Sequence, residues 1–180
     1  MEMNNNLLIQ KAKKKRFNII RGKMEITELV NRLPQDGECF KFVSTGGFSS
    51  ASFILFVAER TKIENLHVST FHVGKKEARL LHGLKQRGQL GNVSFTVCSL
   101  MKKDGCEYGY FDFLEQICKA NGWTVKVQKN HSKVFLFDTD SGKFVLETSS
   151  NLNENPKMEQ FSFEKDTALY DFYMGSIFAE

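Results

Sequence analysis

Polar and apolar residues alternate at two different periods along this chain. The segment ECFKFVS, residues 38–44, alternates at a period of two and predicts a strand. ENLHVSTF (64–71), NVSFTVCSL (92–100) and WTVKVQ (123–128) predict three more. KVFLFD (133–138) and KFVLET (143–148) form a pair joined by Thr139 to Gly142, a stretch with hairpin-turn composition. EQFSF (159–163) is the seventh strand. Between these segments the period lengthens. MEITELVNRL (24–33) predicts a short helix stopped by Pro34. Gly46 and Gly47 break the first strand, and Phe53, Phe56 and Val57 then fall at helical spacing, with Ser49 or Ser50 as the cap. Lys75 to Arg87 places Ala78, Leu81 and Leu84 on one face. Residues 101–109 read as a loop. Tyr110 to Ala120 turns Phe111, Leu114, Ile117 and Cys118 inward and stops at Asn121 and Gly122. A last helix runs from about Asp166 to Phe178. The alternation predicts an α/β fold: a mixed sheet of about seven strands with helices on both faces, mixed because the 133–147 pair is antiparallel.

Composition narrows this only slightly. With 180 residues, 41% hydrophobic and 12% aromatic, the chain is long and apolar enough for one globular domain. No apolar run approaches the length of a membrane span, and no signal-peptide pattern is visible, so the expected compartment is the cytoplasm. Cys39, Cys98, Cys106 and Cys118 contain no CxxC pair and are expected to be reduced. His67, His72, His82 and His131 show no metal-binding spacing, so neither a metal nor another cofactor is expected. The net charge of +4 is uneven: residues 1–23 carry seven Lys and Arg against Glu2, a net +6, leaving −2 for the remainder. Residues 1–23 therefore read as a basic, flexible extension, and residues 24–180 as the domain. KAKKKR suits either an arm that follows a phosphate backbone or a solvated extension with no partner.

The chemistry concentrates in HSKVFLFDTDSGKFVLETSSNLNEN, residues 131–155. His131 and Lys133 are two residues apart, so a strand reaching back to them would project both from one face. A hairpin of this length also returns Thr148, Ser149, Ser150 and Asn151 to the end where His131 sits. Imidazole, ammonium, hydroxyl and carboxamide groups then converge, as they would around a phosphate.

His131-x-Lys133-x4-Asp138 followed by Thr148-Ser149-Ser150-Asn151 resembles the signature of the phospholipase D superfamily, His-x-Lys-x4-Asp and then Gly-Ser-x-Asn. The order of elements from about Lys41 onward resembles one half of that family's fold. Two departures stand out: Thr148 replaces the glycine, and nine residues separate Asp138 from Thr148, longer than usual. The resemblance implies a single-motif, nuclease-like member: a metal-independent phosphodiesterase acting through a phosphohistidine at a site shared by two protomers. It assigns catalytic roles to His131, Lys133, Asn151 and Glu159, with Glu159 orienting an imidazole. Ser149, Ser150 and His72 are candidate substrate contacts, and Asp138 supports the fold. The expected partners are nucleic acid, DNA or RNA, and a second copy of the chain; no membrane partner is expected. A nucleic-acid-binding module with weak turnover and a phospholipid phosphodiesterase are the alternatives.

Each assignment has a plainer counterpart. Ser149 and Ser150 suit a turn as well as a ligand, and Glu159 suits a solvated strand position. His67 reads as a packed or half-exposed strand residue, and His82 as solvated. Gly46, Gly47, Ser49 and Ser50 suit an anion nest or an ordinary connection. Tyr108, Tyr110, Phe111 and Phe113 suit base stacking or the core.

Overall fold

The computed structural model describes residues 14–21, 25–104 and 109–179. The elements run β1 (Lys14–Ile20), α1 (Ile26–Leu29), β2 (Glu38–Ser44), β3 (Phe48–Ser49), α2 (Ala51–Ala58), β4 (Ile63–Thr70), α3 (Lys75–Gln86), β5 (Leu90–Cys98) and α4 (Ser99–Asp104). There follow α5 (Tyr110–Asn121), β6 (Thr124–Gln128), β7 (Val134–Thr139), β8 (Gly142–Thr148), β9 (Glu154–Asn155), β10 (Glu159–Lys165) and α6 (Thr167–Ser176). Eight strands form one mixed sheet in the order β1-β2-β10-β8-β7-β4-β5-β6, and β3 pairs with β9 in a two-stranded ribbon. The pairs β1–β2, β4–β5 and β5–β6 are parallel; β2–β10, β10–β8, β8–β7 and β7–β4 are antiparallel.

The period-two pattern separates the sheet's faces. Phe40, Phe42, Phe135, Phe137, Phe144, Phe161 and Phe163 point to one face and bury against α2, α3 and α5 through Phe53, Phe56, Leu81, Leu84 and Leu114. Val134, Leu136 and Val145 point to the other and meet Tyr170 of α6. The main core therefore lies between the sheet and three helices, and one helix closes part of the opposite face.

The main sheet contains the seven expected strands plus β1. Residues 14–20, which the sequence pattern assigns to a flexible extension, pair in parallel with β2 from Lys14↔Glu38 to Ile20↔Ser44. RFNII supplies the β-forming residues, and the basic run before it masks the signal. Residues 1–13 lie outside the described residues. The first helix is shorter than 24–33, because Val30 turns extended (φ −141°, ψ 134°) to bury its side chain. The expected loop at 101–109 is helical through Asp104; Cys106 and Tyr108 lie outside the described residues. Gly46, at φ +109°, is required where the chain passes under Pro156, since an added Cβ would strike the Pro156 carbonyl. Among the described residues no helix is long and apolar enough to cross a membrane.

Candidate active site

One edge of the sheet gathers the C-terminal ends of β2, β4, β5 and β8 with the N-terminal ends of β7 and β10. The register sets this directly: Ser44 opposes Glu159, Thr148 opposes Phe161, and Val134 lies between Ser69 and Glu147. His131, Lys133, Asn151 and Glu159 all belong to this edge.

β7 begins at Val134, so His131 and Lys133 sit on the irregular lead-in rather than on the strand. They meet because Lys133 folds back: its Nζ lies 3.1 Å from His131 Nδ1 and donates to the His131 carbonyl at 2.8 Å. A charged lysine can only donate, so Nδ1 accepts and a neutral imidazole then carries its proton on Nε2. The His131 ring is exposed and stands edge-on to Phe71, 5.6 Å between centroids. Burial lowers the Lys133 ammonium below its ordinary value, opposed by the nearby Glu159 and Cys98.

Asn130 fixes this lead-in, and sequence reasoning missed it. Its buried Nδ2 donates to Ser69 Oγ (3.0 Å), Thr70 O (3.2 Å) and Thr96 O (3.0 Å), tying β4 to β5. Its Oδ1 accepts from the amide (3.0 Å) and hydroxyl (2.7 Å) of Ser132. The side chain next to His131 is thus saturated with bonds to the scaffold. The only available signal was an amide residue preceding the His-x-Lys pair, which is weak.

The loop 149–153 is pinned from the other side. Asn151 Oδ1 accepts from the Phe71 amide (3.3 Å) and Thr70 Oγ1 (3.4 Å), while its carbonyl accepts from Ser50 Oγ (2.9 Å). Leu152 N donates to Thr70 Oγ1 at 3.1 Å. Phe71 therefore touches both His131 and Asn151. Ser149 Oγ donates to Glu159 Oε2 and accepts from Gln160 N, and Asn155 Nδ2 donates to Glu159 Oε1 at 2.6 Å. Both Glu159 oxygens are thus engaged by these two partners, and among the described residues the hydrogen-bonding neighbour of the imidazole is Lys133.

The threonine in place of glycine causes no backbone strain. Among the described residues no residue other than glycine has a positive φ. Thr148 instead uses its hydroxyl, which donates to Gln160 O (2.8 Å) and accepts from Ser150 N (2.9 Å). The long spacer is a regular six-pair ladder closed by the tight turn Thr139–Gly142, with Gly142 at φ +117°.

The remaining candidates make other contacts. Asp138 is five residues beyond Lys133, about 16 Å along the strand, where it accepts from Asn65 Nδ2 at 3.1 Å. Ser150 is buried and its hydroxyl donates to the Asn151 carbonyl. His72 packs edge-on against Tyr110 at 4.7 Å; its Nδ1 is buried with no hydrogen-bond partner among the described residues, and burial lowers its pKa. His67 packs against Tyr170 and Phe178 on the α6 face. Ser49 and Ser50 spend their hydroxyls on Glu77 and Asn151, so the glycine turn before α2 is a bonded connection.

This architecture is phospholipase D-like: α/β, with a large mixed sheet flanked by helices on both faces and the His-x-Lys and Ser-x-Asn segments at one edge. No protein-family model matches the chain, and no curated protein matches it significantly. Solved structures do. Polyphosphate kinase from Porphyromonas gingivalis superposes with a TM-score of 0.62 at 14% identity, covering 84% of this chain and 28% of its own. Phosphatidylserine synthase from Haemophilus influenzae Rd KW20 superposes with a TM-score of 0.57 at 15% identity, covering 77% of this chain and 38% of its own. The chain thus spans less than half the length of either neighbour.

Proposed function

We propose that this chain is a metal-independent phosphodiesterase, a single-motif endonuclease that cleaves DNA or RNA at a site shared by two protomers in the cytoplasm. The observation that carries the reading is the contact between Lys133 and His131 at the sheet edge, beside Asn151 and the Ser149–Glu159 pair. The two structural neighbours bear the names of enzymes of phosphate compounds, which supports phosphoryl transfer as the class.

In the first step, His131 Nε2 of one protomer attacks phosphorus, a P–N bond forms, and the P–O bond to the leaving nucleoside breaks. His131 of the partner gives its Nε2 proton to the leaving oxygen. In the second step that same imidazole takes a proton from water, which displaces the first histidine. Lys133 and Asn151 from both copies bind the non-bridging oxygens. The attacking copy has to release Lys133 to the phosphate, so that Nδ1 carries the proton and Nε2 the lone pair. The acid is an imidazolium with protons on both nitrogens, so in that copy too Lys133 has to leave Nδ1 for the phosphate.

That same contact favours a second reading, a module that grips phosphate without turnover, because Nε2 has no lone pair while the lysine stays in place. Cleavage of labelled DNA and RNA in excess chelator separates the two. His131→Ala is expected to lower the rate by about 10²–10⁴-fold or more, with acid-labile phosphate trapped on the wild type alone. Equal cleavage by both proteins, or activity from a species that sediments as a monomer, overturns the shared-site mechanism. Turnover of phospholipid vesicles but not of nucleic acid moves the substrate to lipid.

A further inference from the structure

α6 covers one face of the sheet over β8, β7 and β4, where Tyr170 meets Val134, Leu136, Val145 and His67. Over β1, β2 and β10 no helix among the described residues covers the same face. A groove of about 630 Å³ crosses it, lined among others by Lys15, Phe17, Lys41, Val43, Lys133 and Glu147. Phe17 is 77% exposed, Ile19 55% and Val43 41%. An exposed phenylalanine on a regular strand is costly to leave in water. The register explains the arrangement: Lys15 and Phe17 lie two apart on β1, Phe17 opposes Lys41, and Ile19 opposes Val43. On β2's other side Lys41 opposes Ser162, and its Nζ donates to that hydroxyl at 2.7 Å. The acidic group of this lining, Glu147, accepts a hydrogen bond from the Tyr173 hydroxyl. The groove therefore carries three lysines, one hydrogen-bonded carboxylate and an apolar strip, and it ends at Lys133 of the candidate site.

We propose that this open face is a track for single-stranded nucleic acid, on which Phe17 stacks a base while Lys15 and Lys41 hold phosphates of a strand whose scissile group lies at Lys133. This rests on the phosphodiesterase reading for its polarity and adds the substrate form. The four inter-strand steps from β1 to β7 span about 19 Å, room for several nucleotides outside the catalytic pocket. A flat sheet bearing an aromatic ring and spaced cations suits unpaired bases, whose faces are free, and not a duplex, whose bases are stacked on each other. Inorganic polyphosphate would satisfy the lysines but gain nothing from Phe17, Ile19 and Val43.

The test uses the full chain with a fluorescein-labelled oligothymidylate, its duplex, inorganic polyphosphate, and bis(4-nitrophenyl) phosphate as a small diester that reports the catalytic pocket. Phe17→Ala is expected to weaken single-strand binding about tenfold. Lys15→Glu should flatten the plot of log affinity against log salt by about 0.7, the slope that one neutralised phosphate of a single strand supplies. Phe172→Ala, another exposed ring, on α6, is the control and leaves binding as it is. Small-diester turnover with oligonucleotide binding indifferent to Phe17 and Lys15 overturns the track and spares the phosphodiesterase reading. Weakened binding in both variants without small-diester turnover supports the track and overturns the enzyme. Duplex bound as well as single strand, or polyphosphate displacing the oligonucleotide equally from wild type and Phe17→Ala, overturns the base-stacking role. A shift from dimer to monomer in Phe17→Ala makes this face a contact between copies and overturns the track.

Discussion

The two faces of the sheet follow different rules. On one, Phe163 touches Phe53, Phe56, Phe137 and Phe144 at centroid separations of 5.7, 6.4, 5.9 and 5.8 Å, and all five rings are buried. On the other, a single helix covers three strands and leaves Phe17, Ile19 and Val43 exposed. The same period-two alternation produces both. What differs is whether a helix follows in the chain to cover the face. The closed face packs ring against ring, and the open face leaves its apolar strip exposed.

The comparison can be broken most directly by Phe163→Ala. Removing the ring at the centre of four others is expected to cost about 3–5 kcal/mol, read from urea unfolding. A cost under about 1 kcal/mol would mean that the closed face does not dominate. A second test concerns the start of β2, where charge takes over from packing. Arg32 donates to both Glu38 oxygens, at 2.6 and 2.9 Å, and this bond, with the Gln35 amide, lowers the Glu38 carboxyl from 4.5 to about 2. A depressed carboxylate stabilises the fold above its unfolded pKa, and that contribution is lost as pH falls from about 4.5 toward 2. Arg32→Ala is expected to lower the melting temperature at neutral pH and flatten its fall across that window; an unchanged acid limb would make the pair inert. The smallest effect belongs to Phe17→Ala, expected within about 0.5 kcal/mol of wild type in stability. A large loss there would show that the open face is part of the core.

Much of this architecture was legible from periodicity. β2 matches ECFKFVS residue for residue, and α3 and α5 fall within a residue of the spans that their buried stripes and glycine stops predicted. β1 was not legible, because Lys14, Lys15 and Arg16 read as a charge run and only the partner strand reveals pairing. The ribbon β3–β9 was missed because two-residue strands carry no period. At the candidate site, the residue types and spacing of His131, Lys133 and Asn151 could be read directly. Their support could not. Asn130, Phe71 and Thr70 hold the site through contacts between segments more than 30 residues apart, which no local pattern records. The partner of the imidazole also depends on a side-chain rotation: Lys133 folds back onto Nδ1 while Glu159 is taken by Ser149 and Asn155.

β1 has one further consequence. Among the described residues it is an outermost strand, with one row of backbone amides and carbonyls lacking a neighbouring strand, which invites another polypeptide to add on. The strand begins Lys14-Lys15-Arg16, and an identical strand approaching in parallel would set these like charges side by side. The basic run therefore guards against fibril growth at the margin where Phe17 and Ile19 would otherwise promote it.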